Sequence, residues 1–85
     1  MDGFIGMVML VAFPFAPRGW MLCNGQVLAI QQNTALFALI GNQYGGNGTS
    51  TFALPNLMET HPMKDASGAS LLWIICVEGI FPARD

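Results

Sequence analysis

Charged residues are scarce in this sequence. Asp, Glu, Lys and Arg make up only 9% of its 85 residues, whereas 53% are hydrophobic; an average soluble domain has about 25% charged residues. Residues 19–58 contain no charged side chain at all. Because a chain of this size buries only a small core, the surplus of apolar residues predicts a surface that packs against other copies of the chain. Such packing removes no charges from water.

Basic residues and long apolar segments are also lacking. Lys and Arg number 3 against 5 Asp and Glu, which gives a net charge of -2. Nucleic-acid binding requires a basic patch or stripe, so we expect no nucleic-acid partner. The apolar run at residues 4–15 is too short to span a bilayer and follows Asp2 rather than a basic cluster. We therefore expect neither a membrane span nor a cleaved signal peptide.

Catalytic and metal-binding groups are few. His61 is the only histidine, and it shares a proline-broken polar segment with Glu59 and Asp65. A zinc site needs three or four ligands, and a catalytic triad needs a base that a third group orients. The spacing of these residues indicates neither arrangement. We therefore predict a protein with no enzyme activity, no metal and no cofactor.

The two cysteines, Cys23 and Cys76, lie in separate apolar segments. A lone buried thiol usually packs as a small hydrophobic group rather than reacting as a nucleophile. We therefore favour reduced, structural cysteines. The sequence leaves open a disulfide between them and, as the least favoured interpretation, a reactive thiol.

The apolar pattern predicts a small α+β domain that is mostly β and spans residues 1–85. The continuous apolar runs at residues 5–13 and 71–77 are typical of buried strands, and we expect these N-terminal and C-terminal strands to pair with each other. Pro55 and Pro62 lie in the segment before the last strand, so we predict irregular structure up to residue 69.

A tight hairpin is predicted near the start of the chain. Asn24 and Gly25 separate the apolar runs at residues 20–23 and 26–30. Asn-Gly between apolar runs is the strongest short hairpin signal, because both central residues of that turn adopt positive φ. We therefore expect these two runs to pair as neighbouring strands.

One short helix is predicted at residues 32–40, where apolar residues recur at helical spacing. Asn33 or Thr34 can cap its first turn. Gly41 can adopt the left-handed conformation after its last turn. A helix of this length is stable only if its apolar side packs on the rest of the domain.

Residues 41–57 (GNQYGGNGTSTFALPNL) form a glycine-rich loop that raises the question of a phosphate site. A Walker-type loop needs Lys where Asn47 stands, and the dinucleotide-binding pattern needs a third glycine where Thr51 stands. That pattern also follows a strand and opens a helix, whereas this loop follows the predicted helix. We therefore interpret the glycines as positions of tight turns or close backbone approach.

Residues 16–57 contain a series of characteristic positions: Pro17, Gly19, Trp20, Cys23, Gly25, Gln26, residues 33–37 (NTALF), Gly41, residues 44–46 (YGG), Gly48 and residues 51–55 (TFALP). This pattern resembles the phage tail collar domain, which occurs in short tail fibres and in bacterial tail-like proteins of the microcystin-dependent protein group. The ends of the chain, DGFIG and EGIFPARD, are similar to the first and last segments of those proteins.

The resemblance implies a non-enzymatic structural subunit of a virion tail or an extracellular fibre. Its expected partners are copies of itself and other tail or fibre proteins. The resemblance suggests a homotrimer, whereas the charge-poor surface and the missing receptor segment favour a helical filament. Family members usually continue Phe-Ala-Leu-Pro-Asp-Leu with Arg-Gly-Arg and a long glycine-rich segment, whereas residues 56–61 here read NLMETH. If relatives meet a receptor through that segment, this chain is a minimal collar module specialised for assembly.

Aromatic side chains are the candidate anchors of the core or of an assembly interface, since they are enriched in both. For each one taken alone, core packing is the favoured interpretation. The alternative function is a surface-binding module, an adhesin or glycan-binding protein, that holds a cell-surface ligand with residues 41–57 and the ring of Tyr44. The candidate anchors are Phe4, Trp20, Tyr44, Phe52, Trp73 and Phe81.

Overall fold

The computed structural model describes residues 2–83. Over these residues the chain forms antiparallel strands, two short α-helices and one 3₁₀ turn at Ile30–Gln32. The predicted fold class, mixed α+β and mostly β, is confirmed. The strands are β1 (Val8–Val11), β2 (Trp20–Leu22), β3 (Val27–Ala29), β4 (Thr51–Ala53), β5 (Met63–Lys64) and β6 (Ser70–Cys76), and the helices are α1 (Thr34–Ile40) and α2 (Leu57–Thr60).

The larger sheet is built around β6, the longest strand. β1 pairs along one side of it, from Val8 opposite Ile75 to Val11 opposite Leu72. β2 and β5 pair with β6 as well. The predicted pairing of the N-terminal and C-terminal apolar strands is therefore confirmed. β1 is shorter than residues 5–13, because a turn with Gly6 at φ 89° precedes it and two prolines follow it at positions 14 and 17.

The predicted hairpin between residues 20–23 and 26–30 is wrong. β2 joins β6 in the larger sheet, whereas β3 joins β4 in a second, two-stranded sheet. Gly25 has a φ of 80°, but no residue other than glycine has positive φ in the described chain, so Asn24 cannot take its place in the predicted turn. The Asn24 Oδ1 instead accepts a hydrogen bond from the Gln26 backbone N–H at 3.2 Å. This turn carries the chain from one sheet to the other.

The predicted helix is present as α1, with the 3₁₀ turn before it. Asn33 precedes α1, but its side chain does not cap the helix; its Nδ2 donates to the Ala29 carbonyl at 3.0 Å. Gly41 follows the helix with the expected positive φ of 62°, although its ψ of −153° lies outside the left-handed helical region. The Gly41 N–H donates to the Phe37 carbonyl at 2.8 Å and closes the last turn.

The predicted irregular structure up to residue 69 is also wrong. α2 begins two residues after Pro55, and β5 begins directly after Pro62 to form a hairpin with β6. The Asp65 Oδ1 accepts hydrogen bonds from the N–H groups of Ser67 and Ala69 at 2.8 and 3.0 Å, which closes the hairpin turn. Each proline therefore marks the beginning of an element, where a missing N–H costs little.

The hydrophobic core lies on both faces of the larger sheet, because successive side chains of a strand point to opposite faces. Ile75 belongs to one cluster and Ile74 to the other, and both are almost completely buried. α1 and β4 cover the first face, contributing Leu36 and Phe52. The second cluster consists of Val11, Trp20, Ile74 and Cys76, with Phe13 and Ala16 among the residues packed against it.

Candidate assembly surface

The candidate aromatic residues lie in three different environments. Trp20 and Phe52 are 4% and 0% exposed and belong to the two core clusters. Trp73 is partly buried beside the first cluster, and its Nε1 donates to the His61 carbonyl at 2.7 Å. Phe4, Tyr44 and Phe81 are about half exposed, at 48%, 49% and 53%. Only these last three present their rings to solvent.

The segment before β1 and the segment after β6 are joined by backbone hydrogen bonds. The Ile5 N–H donates to the Ile80 carbonyl at 2.9 Å, and the Ile80 N–H donates to the Gly3 carbonyl at 3.0 Å. Phe4 and Ile80 form an isolated parallel bridge at the same place. The structure therefore brings Phe4 close to the segment that contains Phe81, and neither lies near the glycine-rich loop in sequence or pairing.

These joined segments and the first residue of β1 carry exposed apolar side chains, which we refer to together as the terminal apolar patch. The predicted anchors are all aromatic, so the aliphatic members of this group were not predicted from the sequence. For the N-terminal members of the group, the sequence offers one indication of exposed apolar surface: residues 3–17 contain no charged side chain. The patch consists of Phe4, Met7, Val8, Ile80 and Phe81, with exposures of 48%, 40%, 37%, 60% and 53%.

The glycine-rich loop folds back on β4. The Gly48 N–H donates to the Thr51 carbonyl at 2.9 Å, and the Ala53 N–H donates to the Gly45 carbonyl at 3.0 Å. Gly46 has a φ of 85°, and a Cβ at this position would meet the backbone of Phe52 and Thr51. The glycines therefore permit close backbone approach, as predicted. The loop places Phe52 in the core and leaves Tyr44 exposed.

The side chain of Asn47 is hydrogen-bonded within the glycine-rich loop. The Asn47 Oδ1 accepts hydrogen bonds from the N–H groups of Thr49, Ser50 and Thr51 at 2.8, 2.8 and 3.1 Å. The Asn47 Nδ2 donates to the Ser50 Oγ at 3.1 Å. This asparagine organises the loop in the place where a Walker-type loop would present a lysine. Its hydrogen-bonding capacity is used by the fold.

An open cavity of about 510 Å³ lies between the 3₁₀ turn and the far end of the glycine-rich loop. Its walls carry hydroxyl and amide groups but no charged side chain. Such a cavity can offer hydrogen bonds to a neutral ligand, and it contains no acid or base for catalysis. Its lining residues are Ala29, Ile30, Gln31, Thr34, Thr49 and Ser50.

Titratable side chains near α2 take part in local hydrogen bonds. The Glu59 Oε2 accepts from the Asn56 Nδ2 at 2.6 Å, and the His61 Nδ1 lies 2.9 Å from the Thr60 Oγ1. All of these are exposed contacts between close neighbours in the sequence. Within residues 2–83, no group of three or more His, Cys, Asp or Glu residues is arranged to hold a metal ion.

The two cysteines are free thiols, in agreement with the favoured interpretation. Cys23 and Cys76 are both 0% exposed, one in each core cluster. Burial raises the pKa of the Cys23 thiol to about 11 and also raises the pKa of the Cys76 thiol. Both thiols therefore stay protonated at neutral pH and behave as packing groups.

The comparison with protein families decides which family this architecture represents. The model of the Phage Tail Collar Domain matches residues 6–62, which is more than half of the chain. The chain belongs to the phage tail collar domain family. The predicted family resemblance is thereby confirmed. The match runs from the turn before β1 to the end of α2 and includes the whole glycine-rich loop.

Membership of the collar family indicates a structural role in a phage tail fibre and points to the virion tail. Collar domains are typically oligomeric fibre components and are not known as enzymes. No curated protein and no solved structure matches this collar chain significantly. None of the helices between residues 2 and 83 combines the length and apolar character needed to cross a membrane.

The buried thiols lead to a prediction about chemical reactivity. Cys23 and Cys76 should react with a thiol-specific disulfide reagent at pH 7.5 at least tenfold more slowly in the folded protein than in urea, because burial hinders the reagent and keeps the thiols protonated. Absorbance of the released thiolate measures the reaction. Rapid labelling of either cysteine under native conditions would contradict the buried positions.

The fold of the loop leads to a prediction about Gly46. Gly46→Ala should lower the free energy of unfolding more than Gly68→Ala does. Both residues have positive φ, at 85° and 90°, but a Cβ at position 68 meets nothing within 4 Å. The unfavourable φ costs about 1–2 kcal/mol in either variant, and overlap with the β4 backbone should add about 1–3 kcal/mol in Gly46→Ala.

Urea unfolding monitored by circular dichroism measures the difference between these two variants. Gly68→Ala is the matched control for the effect of φ alone. Equal losses of stability would show that the loop does not approach β4 as closely as described.

Proposed function

We propose that this collar protein is a non-enzymatic structural subunit that assembles with copies of itself into a phage-tail-like or extracellular fibre. In this proposal the whole chain acts as one collar-type module, and its assembly is either a homotrimer or a helical filament. The observation that carries the proposal is the terminal apolar patch, on a protein in which only 9% of residues are charged.

The size of the patch supports association but does not account for all of it. Aromatic side chains bury about 150–250 Å² each when fully covered, so the two half-exposed rings of the patch offer roughly 150–250 Å² together, and its three smaller aliphatic side chains add to this area. A stable interface buries about 800 Å² on each partner. The rest has to come from surface next to the patch, and the uncharged residues 3–17 are adjacent to it.

The choice between trimer and filament depends on whether repetition of the contact between subunits returns to the first subunit. A head-to-tail contact between different surfaces gives a ring when its rotation closes and an open filament when it does not. Collar domains are typically oligomeric fibre components, and the resemblance to short tail fibres favours a closed trimer. The charge-poor surface favours further contacts between oligomers, and therefore a filament.

Substitution of Ile80 tests the proposal. Ile80→Lys should weaken self-association, because it places a charge in the terminal apolar patch, where association would have to desolvate it. Sedimentation velocity at micromolar concentration measures the oligomers, and electron microscopy distinguishes rods from trimers. We expect at least a tenfold weaker association constant for Ile80→Lys than for the unsubstituted protein.

Val27→Lys is the matched control, because Val27 is 59% exposed, similar to Ile80 at 60%, and lies outside the patch on β3. It should associate like the unsubstituted protein. A stable monomer of the unsubstituted protein at micromolar concentration would disprove self-assembly as its function.

A surface-binding module is the second candidate function, favoured by the exposed ring of Tyr44 on the glycine-rich loop. It has less support than assembly, because the polar groups of Asn47 are already used within the loop. If this function is correct, Tyr44→Ala should abolish binding on a glycan array while the oligomeric state stays unchanged. Absence of binding by the unsubstituted protein would count against an adhesin.

A further inference from the structure

The two outer edges of the larger sheet differ in how their backbone groups are used. On the β2 side, the Trp20 N–H donates to the Pro17 carbonyl at 2.9 Å. On the same side, the Leu22 carbonyl accepts from the Gln26 Nε2 at 3.1 Å. β1 pairs with β6 alone, and no other strand within residues 2–83 pairs with its outer edge. The larger sheet therefore has one open edge that is a full strand long.

The hydrogen bond between the Cys76 N–H and the Met7 carbonyl, at 2.9 Å, identifies the groups on that edge. In an antiparallel ladder, hydrogen-bonded pairs alternate with non-hydrogen-bonded pairs. Because Met7 bonds to β6, so do Met9 and Val11. The N–H and C=O groups of Val8 and Leu10 consequently point away from the sheet, where they can bond to another strand.

We propose that β1 pairs antiparallel with β1 of a second copy of this chain, about a two-fold axis at Met9. This inference rests on the proposed self-assembly and identifies one of its contacts. Val8 then lies opposite Leu10 of the partner subunit, and Leu10 lies opposite Val8 of the partner subunit. Each of these pairs exchanges two backbone hydrogen bonds, and the register uses only residues 7–11.

A second copy is the occupant that the edge fits best, for three reasons. The Trp20 N–H and the Leu22 carbonyl on the β2 edge already have partners, so this edge offers fewer groups than β1 does for head-to-tail pairing with the β1 strand of another copy. Residues 3–17 carry no charge, so two β1 strands meet without repulsion, whereas a charged segment would lose hydration without gaining a partner. An uncharged, apolar edge strand is also the kind that natural monomers avoid.

The position of β1 next to the terminal apolar patch supports the same contact. Val8 belongs to both, and Met7 directly precedes the strand. Pairing of two β1 strands therefore buries the backbone and side chains of the strand together with the part of the patch that lies beside it. Ile80 and Phe81 stay available for a second contact. The β1 contact joins subunits in pairs, and a second contact between pairs extends them into a filament. A closed trimer, in contrast, has no two-fold axis between its subunits.

β3 provides a comparison within the same protein. It also has an exposed valine, Val27, but it is one residue shorter than β1. The Ala29 carbonyl on β3 accepts from the Asn33 Nδ2 at 3.0 Å. Its edge therefore offers fewer free groups to a partner. A lysine on each edge strand separates the effect of the proposed contact from the general effect of an added charge.

The first experiment compares Val8→Lys with Val27→Lys by sedimentation velocity, with circular dichroism as the test of folding. Lysine on an edge strand opposes strand pairing. We expect Val8→Lys to lower the association constant at least tenfold and Val27→Lys to leave it within twofold. If folded Val8→Lys associates like the unsubstituted protein, the β1 contact is overturned and the proposed function stands. If the unsubstituted protein is monomeric, both fail.

The second experiment tests the register and decides the question if Val8→Lys does not fold. In Met9→Cys, the two introduced thiols face each other across a non-hydrogen-bonded pair, with Cα atoms about 4.5 Å apart, which is within the range of a disulfide. Mild oxidation should give a covalent dimer on a non-reducing gel. Val27→Cys should stay monomeric on that gel. Absence of the Met9→Cys dimer, or equal cross-linking of Val27→Cys, overturns the proposed register.

Discussion

Strand β6 supplies buried side chains to both faces of the larger sheet, and the rest of the structure depends on its pairing. Its neighbouring residues Ile74 and Ile75 are 0% and 1% exposed and belong to different core clusters. β1, β2 and β5 all hydrogen-bond to it. A strand buried on both faces reads as a continuous apolar run rather than an alternating one, so the same property that made β6 easy to predict makes it the centre of the fold.

The sequence predicted those parts of the fold that depend on apolar periodicity. β1 and β6 are continuous apolar runs and α1 has apolar residues at helical spacing, so the sequence indicates the type of each element. The pairing of β1 with β6 follows from the need to bury both strands. The local signal at Asn24-Gly25 predicts the hairpin incorrectly, because β2 pairs with β6 and β3 pairs with β4, and neither partner is close in the sequence. The sequence does not indicate α2 and β5, because Pro55 and Pro62 are residues that interrupt helices and strands. Each of these prolines instead lies just before such an element, where its missing N–H costs little.

The exposed apolar side chains could be predicted from the sequence only in part. Composition indicated surplus apolar surface, but a lone aromatic residue has the same appearance in sequence whether it enters the core, as Phe52 does, or stays exposed, as Tyr44 does. The difference between these two arises from backbone geometry at Gly46, which lets the loop lie against β4. Tertiary contacts therefore decide which apolar side chains stay exposed to solvent, and these contacts cannot be predicted from the amino-acid composition.

The scarcity of charged residues also affects the edge of the larger sheet. Natural edge strands usually carry charges or prolines that prevent pairing with other chains, and β1 carries neither, although Pro14 follows it closely. In a solitary monomer this absence would be a liability for aggregation, and the apolar side chains of the terminal patch would add to it. In the fibre proposed above, the same edge and patch would be interfaces. The proposed assembly accounts for the lack of protective residues on β1, because it covers this strand.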